Sequence, residues 1–251
     1  MLETNKVTIN FGGLVAVNEV SIRVEDHKIT ALIGPNGAGK TTLFNCISGV
    51  YVPNRGTVIL DGVHLEGKMG WQINKAGIAR TYQIINLFWK MSVIENVLVG
   101  MHSRLKSNFW DNILHTKKKR EEEKRILANA HEWLNFVGLD GYADAPAGSL
   151  PYGKQRLLEI VRGLASDPKV ILLDEPAAGM NTGEKRDLDA LLQKILRQDV
   201  TILIVEHDMK LIMDISDYIY VLCNGKLLAE GVVRDIQNNP EVIAAYLGGE
   251  D

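Results

Sequence analysis

The sequence predicts an α/β fold in which a mostly parallel sheet carries an N-terminal antiparallel β subdomain and an inserted α-helical subdomain. Two short apolar runs with polar ends, "KVILLDE" and "TILIVEHD", are typical of parallel strands that are covered on both faces. Between them, "EKRDLDALLQKILR" has the apolar spacing of a helix and supplies the crossover that parallel strands require. A chain of 251 residues is long enough to bury a full core of this kind.

The first third of the chain has the patterns of β structure. "KVTINF" and "VSIRVE" predict two strands, and "GTVILDG" predicts another that ends in an Asp-Gly turn. "KITALIG" is an apolar run that leads directly into a glycine-rich segment. Later in the chain, "YIYVLCNGKLLAEG" predicts a hairpin with Asn224 and Gly225 at its tip. These strands assign the core to residues 1–83 and 167–251.

Residues 84–166 have a helical pattern and form the predicted insertion. Ser92 and Glu95 are spaced as a capping box, which predicts the start of one helix. A longer helix is predicted over residues 115–139, because apolar side chains recur there at helical spacing. Those side chains belong to Ile126, Leu127, Trp133, Leu134 and Val137.

Composition and charge argue against several classes of protein. The net charge of −3 argues against a nucleic-acid-binding surface, and we expect no nucleic-acid partner. Cys46 and Cys223 lie far apart without metal-ligand spacing, so two reduced thiols are expected. The first residues lack a signal-peptide core, and the apolar runs are far shorter than the ~20 residues that span a bilayer. We therefore expect a cytosolic protein whose membrane role, if it has one, is peripheral.

The segment "GPNGAGKTT" fits the P-loop pattern Gly-x-x-x-x-Gly-Lys-[Ser/Thr], which predicts a P-loop NTPase core; the alternative is a glycine-rich turn without chemistry. Glycines let several backbone N–H groups converge on phosphate oxygens, and the following helix adds its positive N-terminus. Lys40 can reach the β- and γ-phosphates, the Thr41 hydroxyl can hold Mg²⁺, and Thr42 can donate to a phosphate nearer the sugar. The predicted phosphate loop consists of Gly34, Pro35, Asn36, Gly37, Ala38, Gly39, Lys40, Thr41 and Thr42.

Charged residues follow two of the predicted buried strands, at the sheet edge where ligands gather in such folds. Asp174 is the candidate on the metal side, and Glu175 is the candidate base that activates an attacking water. His207 follows the next strand and is a candidate γ-phosphate contact, while Gln83, after "ARTY", is a weaker candidate. The alternatives are helix capping or solvation for the two acids and a structural role for the histidine.

Taken in order, "GPNGAGKTT", "RTYQ", "LPYGKQR", "ILLDEP", "AAGMN" and "VEHD" resemble the motifs of the ATP-binding subunit of ABC transporters, over essentially the whole chain. The resemblance implies that the phosphate loop binds ATP with Mg²⁺, and that Gln83 contacts the metal and the attacking water. It implies a magnesium-side aspartate at Asp174, a catalytic glutamate at Glu175 and a switch histidine at His207. Phe11 lies where the family has an aromatic ring that stacks on adenine, with a core position as the alternative.

The segment "LPYGKQR" lies where the family has its Leu-Ser-Gly-Gly-Gln signature, whose helix N-terminus meets the γ-phosphate held by the opposite subunit. Pro151 replaces the serine and Lys154 replaces the glutamine. The resemblance therefore implies binding across a dimer through backbone N–H groups, Gly153, and Lys154 or Ser149. A lysine at the positive end of a helix dipole is unfavourable unless a triphosphate docks there; the alternative is that Lys154 points into solvent. Asn181 replaces a common aspartate, and its loop is expected to keep its structure.

Finer features, among them "EPAAGMN", "LPYG" and the ending "NNPEVIAAYLG", are similar to those of the ATPases of branched-chain amino acid importers. Relatives that serve amides or urea share most of them. The implied partners are a second ATP-binding subunit, identical or different, transmembrane permease subunits and, indirectly, a solute-binding protein. The implied location is peripheral, on the cytoplasmic face of the cell membrane. The alternatives are a soluble ABC ATPase and a kinase or GTPase switch; the sequence lacks the Asn-Lys-x-Asp that a GTPase needs.

A surface for the membrane subunits is expected just after Gln83. The stretch "IINLFWKMSV" places Ile84, Leu87, Phe88 and Trp89 there. Some of these apolar side chains are expected to form a groove that receives a cytoplasmic helix of the membrane subunit. The alternative is that they pack between the helical subdomain and the core.

Overall fold

The computed structural model of the chain describes residues 1–102 and 117–247. In these ranges the chain forms ten β-strands and nine α-helices, with two short 3₁₀ helices before the fifth α-helix. The strands are β1 (Leu2–Phe11), β2 (Leu14–Val24), β3 (Ile29–Ile33), β4 (Arg55–Leu60), β5 (Val63–His64), β6 (Ile78–Arg80), β7 (Val170–Asp174), β8 (Thr201–Val205), β9 (Tyr218–Cys223) and β10 (Lys226–Gly231). The helices are α1 (Lys40–Ile47), α2 (Gly70–Ala76), α3 (Val93–Met101), α4 (Lys117–Phe136), α5 (Tyr152–Leu164), α6 (Thr182–Leu196), α7 (Met209–Ile215), α8 (Val233–Gln237) and α9 (Pro240–Leu247).

The strands form two sheets. A six-stranded sheet has the order β10-β9-β3-β8-β7-β6, and it is parallel except for the terminal β9–β10 hairpin. A four-stranded antiparallel sheet has the order β2-β1-β4-β5. This architecture confirms the predicted α/β fold with a mostly parallel sheet and an N-terminal antiparallel part.

The parallel register places the carboxyl ends of three strands side by side. Asp174, the last residue of β7, pairs with Val205, the last residue of β8. Leu32, near the end of β3, also pairs with Val205 on the other side of β8. Every residue of β3, β7 and β8 is buried, which is why these strands appear in the sequence as continuous apolar runs. The loops that follow the three strands therefore meet at one edge of the sheet.

A separate hydrophobic cluster forms between residues 85 and 165. Leu134 of α4 packs there with Val93 and Val97 of α3 and with Leu158 of α5. This cluster is the helical part of the chain, and it holds the apolar stripe that the sequence predicts for α4. One member of that stripe is an exception, because Leu127 is largely exposed. Residues 115 and 116 of the predicted longer helix and Gly248 of the predicted ending lie outside the described residues.

Two helix starts have the caps that their sequences predict or permit. The Glu95 N–H donates to Ser92 Oγ and the Ser92 N–H donates to Glu95 Oε2, so the predicted capping box of α3 is confirmed. The side-chain oxygen of Asn181 accepts hydrogen bonds from the N–H groups of Gly183 and Glu184, at 2.8 and 3.0 Å. Asparagine at this position therefore caps α6 and keeps the loop in shape.

The helices within the described ranges are all too short or too polar to span a bilayer.

Candidate active site

The glycine-rich loop connects β3 to α1 and is shaped by close backbone contacts. A Cβ at Gly34 would lie 2.1 Å from the carbonyl oxygen of Leu222, and a Cβ at Gly39 would lie 2.6 Å from that of Ala16. Both glycines also have positive φ angles, of 148° and 99°. A Cβ at Gly37 would meet no atom within 4 Å, so only its φ of 77° favours glycine there. Close contacts with neighbouring backbone atoms thus require glycine at two positions of the motif, Gly34 and Gly39.

Lys40 folds back into this loop. Its Nζ donates to the carbonyl oxygens of Gly34 and Pro35, at 2.6 and 2.9 Å. Burial lowers the pKa of Lys40, and the nearby carboxylates of Glu175 and Asp174 act in the opposite direction. The ammonium therefore lies inside the loop, close to Asp174 and Glu175 at the end of β7.

The remaining loop residues lie between β3 and the first turn of α1. Asn36 and Gly37 are exposed at the loop tip, whereas Ala38 is buried beneath it. Thr41 is exposed and Thr42 is half-buried, both in the first turn of α1. The backbone N–H groups of a helix start are a favourable site for phosphate oxygens, as the motif predicts.

The predicted β9–β10 hairpin supports the loop from one side. The Gly225 N–H at the hairpin tip donates to the carbonyl oxygen of Ala38 at 3.1 Å. The carbonyl of Gly225 in turn accepts from the N–H of Asn18 at 2.7 Å. One glycine at the hairpin tip thus connects the phosphate loop with strand β2.

The three predicted catalytic side chains meet at the sheet edge. Gln83 Nε2 donates to Glu175 Oε2 at 2.9 Å, and His207 Nε2 lies 3.0 Å from Glu175 Oε1. Glu175 has a positive φ of 47°, an unfavourable conformation for a residue with a side chain. Its N–H donates to the carbonyl of Val205 at 2.8 Å, which extends the β7–β8 ladder by one bond. The glutamate is thus fixed by its backbone, and both carboxylate oxygens contact side chains from other loops.

Asp174 has a partner that the sequence interpretation did not anticipate. Arg80, the last residue of β6, donates from Nη2 to Asp174 Oδ2 at 2.8 Å, and both side chains are less than 10% exposed. Nη1 of the same arginine donates to Asn45 Oδ1 and Ser48 Oγ of α1, at 2.7 and 2.6 Å. Arg80 therefore connects the carboxylate of Asp174, the predicted metal-side residue, to the helix that follows the glycine-rich loop. The sequence feature that could have indicated this contact is the arginine directly after the two apolar residues of β6, Ile78 and Ala79.

Glu206 is a buried carboxylate next to His207. It accepts hydrogen bonds from the N–H of Ala177 at 2.6 Å and from the N–H of His207 at 3.0 Å. Burial raises the pKa of Glu206, and these backbone N–H groups act in the opposite direction. The side chain thus connects the segment after β7 with the segment that carries His207. The sequence analysis had not assigned it a role.

The segment at the start of α5 makes contacts with other parts of this chain. Pro151 precedes the first helical residue, in the capping position. A Cβ at Gly153 would lie 2.4 Å from Glu184 Oε1 of α6, so a larger residue here would have to displace the Glu184 side chain. The hydroxyl of Ser149 donates to the carbonyl of Pro146 at 2.7 Å.

Lys154 packs against an aromatic ring. Its Nζ donates to the Tyr142 hydroxyl at 2.5 Å and lies 3.8 Å from the centroid of the Tyr142 ring. This arrangement combines a hydrogen bond with a cation–π contact. In this structure Lys154 therefore points along the helical part of the chain, and not freely into solvent.

Phe11 lies at the end of β1 and is 45% exposed. Its ring contacts that of Tyr51 edge-on, with 5.2 Å between centroids. The alternative of a core position is thus wrong, because nearly half of the side chain faces solvent. An exposed ring of this kind can stack on a flat ligand.

The predicted metal-side residues offer oxygen atoms. They are the hydroxyl of Thr41, the carboxylate of Asp174 and the amide oxygen of Gln83, whose amide nitrogen contacts Glu175. Oxygen donors are the ligands that Mg²⁺ prefers, so the residues fit this metal. Glu175, at the edge of the same site, is placed to accept a proton from a water molecule.

Comparisons with known proteins identify the family to which the chain belongs. A family model described as ABC transporter matches residues 17–178, and one described as Branched-chain amino acid ATP-binding cassette transporter matches residues 226–251. The chain is 47% identical to the high-affinity branched-chain amino acid transport ATP-binding protein LivG of Salmonella typhimurium, over 99% of this chain and 98% of that protein. It is 46% identical, with the same coverage, to the corresponding protein BraF of Pseudomonas aeruginosa.

Solved structures show the same likeness. An ATP-binding cassette of an ABC transporter in its ADP conformation matches with a TM-score of 0.86 and 32% identity, over 99% of this chain and 98% of that one. A nucleotide-free cassette matches with a TM-score of 0.85 and 31% identity, over 98% of each chain. These findings confirm the resemblance and the ATPase activity that the motifs imply. The chain belongs to the ABC transporter family, as one of its ATP-hydrolysing cassettes.

Proposed function

We propose that this cassette hydrolyses Mg²⁺-ATP to power the import of branched-chain or related amino acids. The observation that carries the proposal is the contact of Glu175 with Gln83 and His207 beside the phosphate loop. The relatives named above, similar over nearly the whole chain, are branched-chain amino acid transport proteins, and this supports the solute class.

In the proposed mechanism the phosphate loop binds the triphosphate and Phe11 stacks on the adenine. Lys40 turns from the loop carbonyls toward the β- and γ-phosphates. Glu175 takes a proton from the attacking water, while His207 contacts the γ-phosphate. Thr41, Asp174 and Gln83 would hold Mg²⁺, and the charge that the metal supplies would favour the negatively charged phosphate oxygens.

Two chains are required for a complete site in this proposal. Ser149, Gly153 and Lys154 of one subunit close over the γ-phosphate held by the phosphate loop of the other. The contact of Lys154 with Tyr142 would be exchanged for a contact with the phosphate. The second subunit is a copy of this chain or a different cassette.

The proposed contact with the membrane permease lies just after Gln83. Ile84, Phe88 and Trp89 are exposed, by 83%, 48% and 45%. Leu87, by contrast, is buried in the helical cluster and is excluded from this surface. Three exposed apolar side chains in six residues suit a cytoplasmic helix of the permease. The cassette would then lie peripherally on the cytoplasmic face of the membrane, with the solute-binding protein reached only through the permease.

The mechanism is tested with Glu175→Gln, which keeps the size of the side chain but removes the base. With the native partner subunit present, we expect unchanged ATP affinity and a loss of hydrolysis of roughly 10²–10⁴-fold. Size-exclusion chromatography with Mg²⁺-ATP should show an accumulated dimer. Normal hydrolysis by this variant would show that the base is assigned to the wrong residue.

The permease contact is tested by a photo-reactive amino acid at position 88. We expect a cross-link to a membrane subunit in native membranes. Position 243 on α9 is a matched control, because Ile243 is similarly exposed. Equal cross-linking from both positions would contradict the proposed surface. No cross-link from position 88 would contradict it as well, and the absence of any cross-link would favour a cassette that works without a permease.

A further inference from the structure

A buried ion pair on α5 holds the loop that carries Gln83. Arg156 Nη1 donates to Glu159 Oε2 at 2.8 Å, and the two side chains are 0% and 1% exposed. The same arginine donates to the carbonyl oxygens of Tyr82 and Gln83, at 2.7 and 2.8 Å. Glu159 accepts from the N–H of Asn86 at 3.1 Å. Both charged side chains thus bind the backbone of residues 82–86.

These contacts take the place of the backbone hydrogen bonds that a strand or a helix would provide for this loop. Residues 82–88 lie between β6 and α3 and form neither strand nor helix. Their backbone groups need partners, and the ion pair supplies three of them. Asn96 of α3 is fully buried and fixes the far end of the loop, since its side chain accepts from the N–H of Phe88 and donates to the Phe88 carbonyl. The loop backbone is therefore anchored to helices α3 and α5.

The side chain of Gln83 points away from helix α5, toward the end of strand β7 in the parallel sheet. It contacts Glu175 after β7, while the carbonyl of the same residue is bound by Arg156. Gln83 is thus the point at which the helical cluster reaches the catalytic glutamate. The exposed side chains of Ile84 and Phe88 lie on the same anchored loop.

Stability alone does not require a charged pair at this place. Replacing a buried ion pair by apolar residues of similar volume is often neutral or stabilising, because desolvation of two charges offsets their attraction. An apolar pair, however, cannot bind backbone carbonyls at fixed positions. The geometry therefore favours a positioning role over a purely structural one.

We propose that Arg156 and Glu159 are positioning residues that make the Gln83 loop and helix α5 move as one unit. A displacement of the loop by the permease would then shift the N-terminus of α5, with Gly153 and Lys154, and the Gln83–Glu175 contact together. This inference deepens the proposed function and rests on it.

The test uses the double variant Arg156→Met/Glu159→Leu in the complete transporter complex. It removes both charges at similar volume, so it avoids the unpaired buried charge that could unfold either single variant. We expect a lower Tm, because the Tyr82 and Gln83 carbonyls and the Asn86 N–H lose their partners. We also expect an ATP affinity within twofold of wild type and a kcat reduced at least tenfold. Hydrogen exchange of the amides of residues 82–88 should rise at least tenfold, while that of β3 and β7 stays the same.

Two further variants complete the experiment. Arg156→Met/Glu159→Gln also removes both charges but keeps an acceptor for the Asn86 N–H, so its kcat should lie between those of the wild type and the Met/Leu variant. Lys28→Met removes one charge of the exposed i,i+3 pair with Glu25 and should change neither kcat nor loop exchange. A wild-type kcat in the double variant would overturn the inference, as would a rise in exchange spread evenly over the core. The proposed function itself fails in a different measurement, namely if the wild-type complex does not hydrolyse ATP.

Discussion

Replacing Arg80 by methionine is expected to destabilise the cassette, because it leaves a buried aspartate without its cation. The Arg80 side chain is 7% exposed and the Asp174 side chain 5%. The substitution also removes the bonds from the guanidinium to Asn45 and Ser48 of α1. Methionine fills much of the volume, so the effect measures the loss of charge and hydrogen bonds more than the formation of a cavity.

The magnitude follows from the burial of the pair. Removing one partner of a buried ion pair costs about 3–5 kcal/mol, because the other charge stays buried and unpaired. In a chain of this length, 1 kcal/mol corresponds to about 2–4 °C in Tm, so a fall of roughly 6–20 °C is expected. Adding Asp174→Asn removes the unpaired charge and should recover at least about 1 kcal/mol relative to Arg80→Met alone.

The assays are urea unfolding, which gives the free energy of unfolding, and thermal unfolding, which gives Tm; both are monitored by circular dichroism without nucleotide. Lys169→Met is the control, because Lys169 also pairs with a single carboxylate, that of Asp61, but both side chains are exposed. Its cost should lie between 0 and about 1 kcal/mol. The reasoning is refuted if Arg80→Met costs no more than Lys169→Met, or if Asp174→Asn destabilises the arginine variant further.

Four more predictions concern Asn181, Gly34 and Cys46. Asn181→Ala should destabilise the protein by about 1 kcal/mol in urea unfolding, whereas Asn181→Asp keeps the cap and should change stability by less than about 0.5 kcal/mol. Gly34→Ala should abolish binding of a fluorescent ATP analogue with retained circular dichroism, because its Cβ would lie 2.1 Å from a backbone oxygen; an unchanged Kd would contradict this. Burial raises the pKa of Cys46 to about 12, so Ellman's reagent at pH 8 should leave it unmodified until urea is added. Because the unfolded thiol ionises near 9.0, Cys46 should make stability fall as pH rises from about 9 to 12, and Cys46→Ala should reduce that fall.

Much of the site could be predicted from sequence because its parts are local. The strands β7 and β8 are buried on both faces, and this produces continuous apolar runs that end in Asp174 and Glu206. Parallel strands bring their carboxyl ends to one edge, so the residues after them are expected to meet. The contact of His207 with Glu175 follows from this rule. The phosphate loop was predictable for a similar reason, since its shape depends on glycines that are contiguous in the chain.

The positioning side chains could not be predicted, because their partners are distant in sequence. Arg80 and Asp174 are 94 residues apart, and Arg156 binds carbonyls more than 70 residues away. Strand β6 has only three residues, too few for a periodic pattern to indicate that Arg80 ends a strand. The contact of Lys154 with Tyr142 was missed because a helix-dipole argument considers only the helix itself. Partners of this kind depend on the tertiary fold.

The different environments of the two adjacent acids support their different roles without any reference to relatives. Asp174 ends β7 as a buried carboxylate, and one of its oxygens is held by a guanidinium that is itself bound to α1. A carboxylate fixed in this way suits a metal site, where geometry must be constant. Glu175 leaves the strand with a positive φ and lies at the edge, against an amide and an imidazole from two other loops. Both of those side chains are exposed, so solvent can compete with them for the carboxylate oxygens. A base must release and receive protons, so the acid with exchangeable neighbours is the one suited to catalysis.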